Sequence, residues 1–79
     1  MELTQAQRQH VAKVYPECRA DMAAYLAASA EVIVRHQREV EEAGQFAIEV
    51  RGTDFWIDCC NTKESAVALA QSLGLSIFN

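Results

Sequence analysis

The chain has little of what catalytic and nucleic-acid-binding signatures require. Its 79 residues include three glycines, one proline and two histidines, and no glycine-rich elbow or orienting carboxylate stands beside a nucleophile. Basic residues are outnumbered seven to eleven, for a net charge of −4, so non-specific attraction to nucleic acid or anionic membrane is weak. No apolar run approaches the roughly 18 residues that span a bilayer. The opening Met1-Glu2-Leu3-Thr4-Gln5 lacks the basic-then-apolar order of a secretory signal. Three cysteines, Cys18, Cys59 and Cys60, make an odd count without CxxC spacing. That pattern predicts free thiols in a reducing compartment, hence a cytoplasmic protein with no membrane association.

What is present predicts one folded domain. Apolar residues make up 51% of the chain and charged residues 23%, too apolar for disorder and charged enough for solubility. At this length only about 60% of the unfolded surface can be buried, so one core is all the chain can build.

The last 35 residues carry the clearest pattern. Phe46, Ile48 and Val50 alternate with Ala47, Glu49 and Arg51, the run Phe55-Trp56-Ile57-Asp58-Cys59 alternates again, and Gly52-Thr53 sits between them. This is a two-stranded hairpin with one buried face. Asn61 with Glu64 is placed to cap a helix that buries Val67, Leu69, Ala70 and Leu73, Gly74 stops it, and Leu75 to Phe78 suits a short strand. The expected core joins Phe46, Ile48, Val50, Phe55, Ile57, Leu69, Leu73 and Ile77.

The first 44 residues read as a helical hairpin. Thr4 and Gln7 form a capping-box pattern for a helix over Gln5 to Tyr15. Pro16 then suits the first turn of a second helix, and nothing up to Ala43 breaks it before Gly44. That helix would span about 27 residues, roughly 40 Å, with Cys18, Met22, Leu26, Ile33 and Val40 along its buried stripe. The predicted fold class is therefore α+β, a single domain over residues 1–79. Residues 1–44 are its helical hairpin with a long second helix and residues 45–79 its ββαβ unit. The order is α-α-β-β-α-β, with a three-stranded, mainly antiparallel sheet packed against the long helix.

Functional candidates follow from this arrangement. Trp56 faces away from Phe55 and Ile57, beside Ala47 and Asp58, either as an exposed interface anchor or as part of a second core beneath the long helix. Glu49, Asp54 and Asp58 on the hairpin, with Asp21, Glu31, Glu39, Glu41 and Glu42 on the long helix, are candidates for an acidic docking face; ordinary solvated surface is the alternative, since Arg19, Arg35, Arg38 and Arg51 are interspersed. Two carboxylates against the one guanidinium of Arg51 on the exposed strand face disfavour direct DNA binding. Cys59 or Cys60 with His10 or His36 would be the only nucleophile and base pairing. His10, Cys18, His36 and Cys60 lack the short pairwise spacings of a zinc site. No catalytic residue, metal or cofactor is expected.

This profile, a compact acidic α+β chain with a long helix and spare surface carboxylates such as Glu49, Asp54 and Asp58, resembles the small phage-encoded inhibitors called anti-CRISPR proteins. The resemblance lies in size, charge and architecture. It implies a non-enzymatic protein of the host bacterial cytosol that binds a CRISPR effector complex at a basic surface and blocks nucleic-acid target binding. Monomer or weak homodimer is the expected state, and a small structural or regulatory homo-oligomer is the alternative.

Overall fold

The computed structural model describes residues 3–37 and 45–78. Helix α1 spans Gln5–Lys13 and opens on the expected capping box, with Thr4 and Gln7 each bonding the other's backbone N–H. Proline disfavours helical geometry in the residue before it, and both Val14 and Tyr15 are extended. Pro16 then starts a 3₁₀ turn, Pro16–Cys18, that leads into helix α2, Arg19–Ala27.

The long second helix does not exist. Helix α2 ends at Ala27, with Ala28 as its C-cap, and Ser29 takes a left-handed φ of 52°. The chain then reverses through two hydrogen bonds, Ala30 N–H to Tyr25 C=O and Ser29 N–H to Leu26 C=O, both 3.1 Å. Glu31–His36 is strand β1 instead. Its Val32-Ile33-Val34 centre is β-branched, which costs rotamer freedom in a helix and suits a pleated surface. The predicted positions Glu39, Glu41 and Glu42 lie outside the described residues.

Strands β2 (Phe46–Val50) and β3 (Trp56–Cys60) form the predicted hairpin. Helix α3 covers Lys63–Ser72, capped by Thr62 rather than Asn61, since the Thr62 hydroxyl accepts from Ser65 N–H. Gly74, at φ 73°, ends it, and β4 is Ser76–Ile77. Among the described residues the sheet has four strands, not three, in the order β3-β2-β1-β4. β1 pairs antiparallel with β2 and parallel with β4, so the sheet is mixed. The observed order is α-α-β-β-β-α-β.

The helices share one face of the sheet. Met22 and Leu26 of α2 and Ala66 and Ala70 of α3 are buried against Val32, Ile48, Val50 and Ile57. Leu3, Val11 and Val14 pack on the same cluster from around α1. Two buried polar side chains tie α1 down. Gln7 accepts from Thr4 N–H through Oε1 (2.8 Å) and donates from Nε2 to the carbonyls of Leu26 (3.2 Å) and Leu73 (2.8 Å), the ends of α2 and α3. His10 donates from Nε2 to the Ile57 carbonyl at 2.9 Å; a carbonyl only accepts, so that ring nitrogen carries the proton.

Candidate functional site

The opposite face of the sheet has no helix among the described residues. Since Val32, Val34, Ile48 and Val50 point into the core, alternation sends their neighbours Glu31, Ile33, Arg35, Glu49 and Arg51 to the other side, together with Ala47, which is itself fully buried. Register sets Ile33 beside Glu49, Arg35 beside Ala47, and Glu49 beside Trp56. Trp56 is 47% exposed, so no second core covers it.

Two short chains of contact organise this face. Glu49 Oε2 accepts from the Trp56 indole Nε1 at 3.1 Å and from Arg35 Nη1 at 3.4 Å. At the other end, Arg51 pairs with Glu31, and its guanidinium lies 3.8 Å from the centroid of the Phe78 ring. Each chain links one aromatic ring, one arginine and one glutamate. Half-buried Ile33 lies beside Glu49. Phe78, at 41%, is also among the large exposed apolar side chains. The Trp56 hydrogen bond fixes the ring's orientation while leaving apolar area exposed, which lowers the entropy lost when a partner covers it.

Of the hairpin residues expected to act together, Glu49, Arg51 and Trp56 do share this face. Asp58 does not. A bulge opposite Ile48 and Glu49 pairs Trp56 with Glu49 but Asp58 with Ile48, a core position; the extra residue reverses the phase between Trp56 and Asp58. Asp58 accepts instead from the Cys59 N–H at 2.7 Å. Asp54 is exposed in the hairpin loop. Glu31, a candidate on the expected long helix, reaches this face on strand β1 instead, and Ile33 and Arg35 join it there; the signal for that strand was the β-branched run Val32-Ile33-Val34. Phe78 joins through the parallel pairing of β4, which no local pattern announces.

The face is charge-balanced, since its two glutamates are matched by Arg35 and Arg51. Each arginine already faces a carboxylate, which lowers the local positive potential that would draw a phosphate. Arg8 and Arg19 are likewise engaged, on the carbonyls of Leu3 and of Ala12 and Val14.

Cys18, Cys59 and Cys60 are free and partly buried. Burial pushes the pKa of Cys59 up; the Gln37 N–H, 3.8 Å from Sγ, works the other way, and the Asp58 charge adds to the rise. At Cys60 burial, then Asp58, then Cys59 push it up. A raised pKa means less thiolate and a weaker nucleophile at neutral pH. His36 stacks on Phe46 at 4.8 Å, and His10 is held at Ile57. Among the described residues, no three His, Cys, Asp or Glu side chains gather as metal ligands. No described helix is long and apolar enough to cross a membrane.

Comparison with family models, curated proteins and solved structures gives no match.

Proposed function

We propose that this chain is a non-catalytic protein-binding inhibitor whose docking surface is the open face of the sheet, with Trp56 as its anchor. The observation that carries this reading is the Trp56–Glu49–Arg35 cluster: an exposed indole held in one orientation on a rigid strand. Interface centres are enriched in tryptophan, phenylalanine and arginine, and this face offers Trp56, Phe78, Arg35 and Arg51. Direct nucleic-acid binding is disfavoured, because every arginine of the face already has a glutamate partner.

The resemblance to anti-CRISPR proteins makes a CRISPR effector complex the first partner to test. The net charge of −4 favours approach to a basic surface. Asp54, exposed in the hairpin loop, forms no ion pair among the described residues and is available to meet it, whereas Asp58 lies off this face. The test is target-DNA binding by purified CRISPR effector complexes, followed by fluorescence anisotropy as the protein is added. Inhibition saturating at one equivalent supports the reading. Unchanged DNA binding across the panel would remove CRISPR effectors as the partner.

A further inference from the structure

A groove of about 720 Å³ opens beside Trp56, between the turn that follows α1 and the β2–β3 hairpin. Val14, Met22, Phe55 and Trp56 wall it, and Lys13 and Asp54 are its charged members. Neither of those two has an ion-pair partner among the described residues. Tyr15, which also lines the groove, is 76% exposed. Pro16 holds it on an extended, rigid turn (φ −60°, ψ 145°).

We infer that this groove is a homodimer contact, filled by Tyr15 of a second copy. The argument is charge and shape complementarity of the surface with itself. A two-fold axis makes every contact occur twice, so a surface that pairs with itself must carry both members of each interaction. This one does: Tyr15 is a protruding ring beside a groove large enough for a ring, and Lys13, on the α1 side, and Asp54, on the hairpin side, are an unpaired base and acid that both line it. Across the axis, each Tyr15 enters the opposing groove between Phe55 and Trp56, and each Lys13 meets the opposing Asp54. A uniformly acidic or basic peptide would satisfy one charge and be repelled by the other.

The strength of such a contact is bounded by its area. Two Tyr15 and two Trp56 rings bury at most roughly 600–1,000 Å² together, below the size of standard stable interfaces. The dimer is accordingly weak and forms only at high protein concentration. It covers Trp56 and Asp54 and so competes with docking at the open face, while leaving Glu31, Ile33, Arg35, Arg51 and Phe78 uncovered; its test reads association of this chain alone.

Sedimentation equilibrium from about 5 to 500 µM tests this, with the fluorescence of Trp56, the only tryptophan, as a second signal. The wild type should move from 8.8 kDa towards twice that mass, with an emission shift over the same range. Lys13→Glu and Asp54→Lys should each weaken association at least tenfold, Tyr15→Ala should abolish it, and the double variant Lys13→Glu/Asp54→Lys should recover it. All three side chains are exposed, so the fold tolerates the changes. A wild type that stays monomeric throughout overturns the inference. So does a dimer indifferent to these substitutions, or a double variant that fails to recover.

Discussion

Three side chains decide how this molecule behaves at the residue scale. Glu49 orients Trp56 through a single hydrogen bond. Glu49→Gln should therefore weaken that bond, moving the indole N–H resonance upfield and speeding its exchange with solvent; an unchanged resonance would mean that the bond is absent in solution. Gln7 has a different task, closing α2 and α3 with one amide. Gln7→Glu keeps the acceptor for Thr4 but sets a carboxylate against two buried carbonyls. We expect a loss of about 2–4 kcal/mol, or about 10–20 °C in melting temperature, and a melting curve that matches wild type would refute the role given to this side chain. Cys59 and Cys60, with pKa values raised chiefly by burial, should alkylate with iodoacetamide more slowly than glutathione at pH 8. A rate above that of glutathione would reopen a nucleophilic role.

At the scale of elements, the two ends of α2 and α3 explain what could be read from the chain and what could not. Both helices stop with the same pair of hydrogen bonds, from Ser29 and Ala30 in one case and Gly74 and Leu75 in the other. Gly74 is a residue that adopts positive φ freely and so announces its turn. Ser29 adopts φ 52° against its own preference, and flanked by alanines it reads as continuing helix. The alternating hairpin, the capping box at Thr4 and Gln7 and the stop at Gly74 were all legible. The end of α2 and the whole of β1 were not, although Val32-Ile33-Val34 favoured a strand. Half of the open face was hidden with them. Ser29→Gly should stabilise the fold by about 0.5–1 kcal/mol in urea unfolding, whereas Gly74→Ala should destabilise it by a similar amount or more. Loss of stability in Ser29→Gly would contradict the turn geometry.

At the scale of the whole molecule, the described helices lie on one side of the sheet and leave its other side as a broad strand surface for recognition among the described residues. The bulged edge strand β3 is shielded where His10 takes up the Ile57 carbonyl, and β4 at the other edge is two residues long. Both devices limit edge-to-edge pairing, which directs attention to the sheet's face rather than its rims. That face was legible in part, because the alternation of β2 and β3 placed Glu49, Arg51 and Trp56 together. The bulge that turns Asp58 away, and the β1 and β4 pairings that bring in Arg35 and Phe78, are tertiary and leave little local trace.

The most direct test of the central claim is the affinity of face variants for a partner recovered on the tagged wild-type protein, measured by calorimetry. Trp56→Ala and Glu49→Lys should each weaken binding at least tenfold, about 1.4 kcal/mol or more, while Lys63→Glu, at the start of α3 on the other side of the sheet, binds like wild type. Wild-type affinity in both face variants, with their circular dichroism unchanged, would contradict the assignment of the open sheet face as the docking surface.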